Sequence, residues 1–214
     1  MPTHFYSPEN AYIFRIIHKD NVPWIVQNGV HCQNSDIADP HYVAIGNTEL
    51  IDKRRIQIVP CPPGGPLSDY IPFYFTPHSV MMYQIKTGYN GIRQRENDEI
   101  AIIVTSLPKL DKEHVRYVFT DRHASLRTVE YFTDLDDLAK LDWEIWKNRD
   151  FRGDPEYLDK KDRYQAEALI HRHLPIGAIL GIVCYSDEVT NAMKARLGSA
   201  AEGIQIATKR SWYY

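Results

Sequence analysis

The chain has only three cysteines among its 214 residues, Cys32, Cys61 and Cys184, widely spaced and without a CxxC pair. Such a set builds neither a disulfide framework nor a zinc site, so a reducing compartment, the cytoplasm, is the expected setting. Long apolar runs are also missing, and nothing approaches the roughly 18 residues needed to cross a bilayer. The opening "MPTHFYSPENAYIF" lacks the basic region and apolar core of a signal peptide, and no membrane is expected. There is no surplus of positive charge either. A formal net charge of −3 does not advertise nucleic-acid binding, although a local basic groove is enough to hold a single strand. Absent too are GxGxxG, Walker A, HExxH and GxSxG signatures, which excludes nucleotide binding on a doubly wound sheet. His171 and His173 are read as facing apart on a strand, not as a metal pair, and no metal is expected.

What is present is an ordinary globular composition, 43% hydrophobic and 25% charged, which fits one domain over residues 1–214. Fourteen Tyr and four Trp supply flat faces on which bases can stack. Basic clusters lie at 52–55 ("DKRR"), 91–95 ("GIRQR") and 120–123 ("TDRH"), each read first as solvated surface.

The pattern predicts a strand in "AYIFRIIHKD" carrying Arg15, then a short helix in "DNVPWIVQNGV" capped by Asp20 or Asn21 and ended by Gly29. Residues 32–68 read as a long loop region. "YIPFYFTP" is a strand whose Pro72 points to an edge or bulge. "SVMMYQIKTG" is a helix, and "EIAIIVTSL" and "RYVFTD" are strands. "YFTDLDDLAKLDWEIWKN" reads as a helix capped by Thr133, followed by irregular chain up to Asp162. "AILGIVCYS" is a buried strand, "DEVTNAMKARLG" an amphipathic helix, and "GIQIATKRSWYY" a last strand. Strands and helices mix without βαβ alternation, which points to α+β with a largely antiparallel sheet.

One carboxylate stands out. Glu167 lies between Ala166 and Ala168, ahead of Leu169 and Ile170, where an unpaired charge would cost several kcal/mol. It either turns to solvent or to a basic partner, or is kept in a cleft for chemistry. With Arg15, Arg54, His123, Tyr74 and other aromatics it makes a set suited to one reaction type. A reaction through an oxocarbenium-like ribose needs a carboxylate for the sugar, cations for a pyrophosphate and an aromatic wall for a flat leaving group.

Several stretches, in order and over residues 11–214, resemble the DarT family, the toxins of DarTG toxin–antitoxin systems. They are "RIIHKDNVPWIVQNGVHC", "IGNTELIDKR", "PPGGPLSDYIPFYFTPHS", "FTDRHA", "RYQAEALI", "VCYSDEV" and "SWYY". The long "DYxPFYFxPxSxM" and "FTDxHA" patterns carry the specificity, and the likeness is to the thymidine-modifying branch. The resemblance implies an ADP-ribosyltransferase fold, a split, mostly antiparallel sheet with NAD in its central cleft. It also implies transfer of ADP-ribose from NAD to a thymine ring nitrogen of single-stranded DNA, with release of nicotinamide.

The resemblance places the catalytic glutamate at Glu167, the catalytic arginine at Arg54 and a histidine near the reaction centre at His123. NAD contacts fall at Arg15, Ile16 and Ile17, where some members have His in place of Arg15, and further at Trp24, Cys32 and Arg54. The irregular 149–166 stretch corresponds to the substrate loop, and the implied partners are single-stranded DNA and a macrodomain antitoxin of the DarG type. Arg54 raises a chemical difficulty. Family accounts make it a proton acceptor, but a guanidinium has no acceptor atom. Stabilisation of a thymine anion is the preferred role, and a grip on NAD phosphates stays open. Water as acceptor (an NAD glycohydrolase), RNA as acceptor and a noncatalytic strand-binding module are the competing readings.

Overall fold

The computed structural model describes residues 5–214, apart from the side chains of Thr48, Glu49 and Ile51. In chain order the described elements are β1 (Tyr12–His18), α1 (Val22–Asn28), β2 (Val30–His31), α2 (Thr48–Arg54), β3 (Tyr70–Tyr74), α3 (Val80–Thr87), β4 (Ile100–Ser106) and α4 (Leu107–Lys112). There follow β5 (Tyr117–Thr120), β6 (Tyr131–Phe132), α5 (Trp143–Lys147), α6 (Lys160–Tyr164), β7 (Glu167–His171), β8 (His173–Leu174), β9 (Gly181–Cys184), α7 (Asp187–Leu197) and β10 (Gln205–Thr208). Eight strands form one sheet in the order β10-β9-β4-β1-β3-β7-β5-β6, while β2 and β8 pair separately. Among the described residues only β9 and β10 run parallel, so the expected α+β class with a mostly antiparallel sheet holds.

The sheet is not zipped evenly. β1 stays in register with β4 from Tyr12↔Ser106 to His18↔Ile100, but meets β3 only at Phe14↔Tyr74. Beyond that point β1 and β3 part and leave a seam. Pro72 explains part of this. It lies inside the sheet, opposite Leu169 of β7, and not at an edge or bulge as its sequence context predicts. Its carbonyl accepts a hydrogen bond from Arg15 Nη1 at 2.9 Å. A strand residue presents its N and C=O to the same side, so the missing N–H also faces the seam, where no ladder partner waits. Arg15 thus crosses the gap that Pro72 helps keep open.

Alternation along β1 sets what each residue meets. Ile13 and Ile17 join the main core with Ile71, Phe73, Ala168 and Ile170. Phe14 and Ile16 pack into a second core with Ile100, Ile102 and Trp212.

Other local readings change. Asn21 caps nothing at α1. It is buried and bonds the loop at Val43 twice, Nδ2–H to the Val43 carbonyl at 3.0 Å and Oδ1 from the Val43 N–H at 2.9 Å. The 32–68 region is not all loop, since it contains α2. Thr133 is no cap: Asp134 caps a 3-10 turn at 135–140 and Asp142 caps α5, so the predicted long helix is two short pieces. The chain after β10 makes a 3-10 turn at Arg210–Trp212 and does not continue as strand. His171 and His173 do separate, but not by alternation, which would put residues two apart on one face. Arg172 takes φ 62 and sends the chain out of the main sheet.

Candidate active site

Glu167 opens β7 on the same face as Leu169, and only 1% of it is exposed. The β5–β7 ladder ends at Phe119↔Ala168, and the next rung is made by a side chain. Thr120 Oγ1 accepts the Glu167 N–H at 3.0 Å and donates to the Arg122 carbonyl at 2.6 Å. This turns the 121–125 chain back over the carboxylate. The Ala124 N–H donates to Glu167 Oε1 at 3.1 Å, and Tyr131 Oη–H donates to the Ala124 carbonyl at 2.8 Å. From the other side the last residue of α2 arrives, with Arg54 Nη1 donating to Glu167 Oε2 at 2.9 Å. His123 Nε2 stands 3.7 Å from Oε1. Because His123 Nδ1 accepts the Ser125 N–H at 3.1 Å, the neutral ring carries its proton on Nε2, toward the carboxylate.

Burial alone would raise the Glu167 carboxyl pKa. Arg54, His123 and the Ala124 amide outweigh it and hold the group below its ordinary 4.5, so Glu167 is ionised at neutral pH. The Tyr74 phenol, its register partner on β3, is pushed up to about 12 by burial and then by the Glu167 charge. Two of the carboxylate's four lone-pair sites are engaged, and the rest stay available to a hydroxyl.

A cavity of about 380 Å³ occupies the seam, with Arg15, Ile17, Tyr70, Ile71 and Pro72 on its strand walls. Trp24, His31, Cys32, Asp39 and Tyr42 also line it, and Arg54 lines it where it meets the buried Glu167 carboxylate. The expected residues divide as follows. Arg15, Ile17, Trp24, Cys32 and Arg54 line the cavity, whereas the Ile16 side chain faces the opposite core and only its backbone can reach the seam. Glu167 and His123 lie behind Arg54. Two guanidinium nitrogens, Arg15 Nε and Arg54 Nη2, are buried with no hydrogen-bond partner among the described residues. Buried donors seldom go unpaired, and two arginines on one cavity suit a pyrophosphate. The donor set and the apolar walls therefore fit NAD. Among the described residues no group of three His, Cys, Asp or Glu could hold a metal ion, and no helix is long and apolar enough to cross a membrane.

Sequence reasoning missed the supports of this site. Thr120 and Ala124 sit inside the "FTDRHA" motif, but Ala124 acts through its backbone, which no side-chain pattern reveals. Tyr131 was hidden in a segment read as helix. His31 was also missed. It stacks on His173 at 4.3 Å and meets Trp24 edge-on at 5.8 Å, fixing one wall of the cavity through β2 and β8.

Residues 14–214 match the family described as ssDNA thymidine ADP-ribosyltransferase, DarT. A DNA ADP-ribosyl transferase of Escherichia coli O127:H6 is 45% identical over 208 residues, 97% of this chain and 95% of its own length. Among solved structures, Thermus sp. 2.9 DarT in complex with ADP-ribosylated ssDNA superposes with a TM-score of 0.87 at 32% identity, covering 97% of this chain and 98% of that one. The same protein in complex with NAD+ gives 0.81 at 32% identity, over 97% and 99% of the two chains. A split sheet with a cavity in its seam and a buried Arg–Glu pair beside the cavity thus comes with family-wide likeness in sequence and fold, and the chain belongs to the DarT family of ADP-ribosyltransferases.

Proposed function

We propose that Glu167, Arg54 and His123 carry out in this chain the family's reaction, transfer of ADP-ribose from NAD to a thymine ring nitrogen in single-stranded DNA. The observation that carries the reading is the Arg54–Glu167 pair, 2.9 Å apart and almost wholly buried, set beside the seam cavity. NAD lies along the seam, with the free nitrogens of Arg15 and Arg54 toward its phosphates and Trp24 and Ile17 along its flat parts. Glu167 takes a ribose hydroxyl on a free lone pair. Its charge then stabilises the sugar as the bond to nicotinamide breaks. His123 and the Ala124 N–H hold Oε1 in place meanwhile.

In the balance of the step one C–N bond breaks and another forms, nicotinamide leaves neutral, and the thymine ring proton passes to water. Arg54 offers no acceptor atom, so its role is to lower the energy of the developing thymine anion. The ring N–H is a weak acid of roughly tyrosine's strength, about 10, and a fixed cation beside it favours the ionised form. The acceptor places the enzyme in the cytoplasm, and a macrodomain antitoxin that removes the ADP-ribose is the matching partner.

The test is mass spectrometry of a thymidine-containing oligonucleotide and its RNA counterpart after incubation with NAD. A DNA-linked ADP-ribose is expected, with nicotinamide released in equal amount. Free ADP-ribose as the sole product would make the protein a glycohydrolase instead. Duplex DNA should be a poor substrate, because the target nitrogen is occupied in an A·T pair and flipping the base costs a few kcal/mol. Equal initial rates on a duplex and on its thymidine strand would contradict this.

A further inference from the structure

Two isoleucines stand in solvent directly beside the site. Ile56 is 83% and Ile58 65% exposed, two and four residues after Arg54. Ile58 belongs to a well-braced hairpin, not a loose loop, and Ile56 sits in the turn that joins this hairpin to α2. Ile58 forms an antiparallel bridge with Pro66, the Leu67 N–H donates to the Gln57 carbonyl at 2.7 Å, and the Val59 N–H donates to Gly65 at 2.9 Å. Val59 is buried, in a small core with Leu67, Tyr70, Val118, Ala124 and Leu169. Single exposed apolar residues need no explanation, but two neighbours at the root of a rigid hairpin beside an active site do.

The position of this hairpin narrows the choice of partner. The NAD cavity reaches Arg54 from β1 and β3. The 57–66 hairpin and the 121–131 loop share their core with Leu169, on the face of β7 that also carries Glu167. Both adjoin the carboxylate, the loop through the Ala124 N–H and the hairpin through Arg54 just before it, so a second substrate that reaches Glu167 comes within their range. The 121–131 loop adds Arg127, exposed and without an ion pair or hydrogen bond among the described residues.

We propose that Ile56, Ile58 and Arg127 form the landing rim for the acceptor strand. The isoleucines pack against the base next to the target thymine, and Arg127 meets a backbone phosphate. This rests on the single-stranded-DNA reading above. A thymine that presents its ring nitrogen to Arg54 has left the stack, and its neighbour returns to that stack unless another surface covers it. Inserted apolar side chains do this in proteins that unstack DNA. Such contacts are sequence-tolerant, because every base has a flat face.

The test compares wild type, the Ile56→Ser/Ile58→Ser double variant and Arg127→Gln in steady-state transfer to a thymidine oligonucleotide at saturating NAD. The double variant should raise the oligonucleotide KM about tenfold, leaving the KM for NAD unchanged. Ile56→Val/Ile58→Val should restore it, which separates lost apolar surface from lost structure. Arg127→Gln should lower the log–log salt slope of oligonucleotide binding by about 0.7, one phosphate contact on a single strand. Unchanged oligonucleotide KM and salt slope in active variants would overturn the proposal and leave the isoleucine pair to a protein partner. A wild-type protein that modifies no oligonucleotide would remove the reading beneath it.

Discussion

Glu167→Ala should abolish ADP-ribose transfer while leaving NAD affinity within about tenfold of wild type. The two effects separate because the carboxylate acts mainly where positive charge develops. An interaction present only in the transition state lowers kcat when lost, and hardly touches ground-state binding. What NAD itself loses is one hydrogen bond from a ribose hydroxyl, on the order of 1–2 kcal/mol. Folding has to be checked alongside, since the variant leaves Arg54 and the Ala124 N–H without their partner. Removing one member of a fully buried pair costs about 3–5 kcal/mol. Here the Arg54 side chain is 12% exposed and borders the cavity, so it can turn to water and the loss should be smaller. Oligonucleotide mass spectrometry, calorimetry with NAD and a thermal melt give the three readouts. Near-wild-type modification by a folded variant would remove Glu167 from the mechanism.

The second large effect belongs to Arg54. Arg54→Lys keeps a positive charge without the planar fork, and Arg54→Ala loses both. If the guanidinium stabilises a thymine anion, lysine should retain measurable transfer and alanine almost none at neutral pH. The alanine variant should then gain rate as pH rises toward about 10, because it can use thymine that has already ionised. The sign follows from the acceptor: deprotonation creates the nucleophile, so activity increases through the ring N–H pKa. The structure sharpens the alternative. Arg54 Nη1 holds Glu167 while Nη2 has no partner among the described residues, so one residue serves the carboxylate and can also serve a phosphate. If phosphate binding dominates, both variants should lose NAD affinity and recover at high NAD. A pH–rate profile of Arg54→Ala at saturating NAD decides, and a flat profile with full rescue would leave Arg54 as a binding residue.

The sequence and the structure agree best where one residue's chemistry forces its environment. Glu167 between alanines had to be paired or solvated, and it is paired. Ser79 and Gly88 bound α3 as their types predict: Ser79 Oγ accepts the Met82 N–H and Gly88 adopts φ 70. Agreement fails where a second, distant segment decides. Asn21 has a capping side chain, but Val43 offers it two backbone bonds and wins. Pro72 reads as an edge residue, yet an interior strand accepts it because the neighbouring ladder is already open. α2 shows no periodicity in its seven residues, so nothing marked Arg54 as helical. Ile16 was grouped with its neighbours on β1, and alternation turns its side chain to the other core. For the site, the family likeness pointed to Arg54 and His123, and the structure brings both beside Glu167. The braces Thr120, Ala124 and Tyr131 depend on a chain reversal that only the fold displays.

The open seam between β1 and β3 also bears on how long the protein lasts. In its backbone pairing the sheet is thinnest there, held by one register pair and one arginine side chain above the shared core, and the proposed substrate site runs along that line. On the proposed binding mode, a dinucleotide lying along that line would act as a clasp, tying the β10-β9-β4-β1 half to the β3-β7-β5-β6 half. A ligand that binds only the folded state adds about 2.7 kcal/mol at a concentration one hundredfold above its Kd. Resistance to unfolding and proteolysis should then rise with NAD concentration in a thermal melt or limited digestion. On that mode, as its own reaction consumes NAD the clasp would be lost, and the enzyme would become less durable as its substrate runs down.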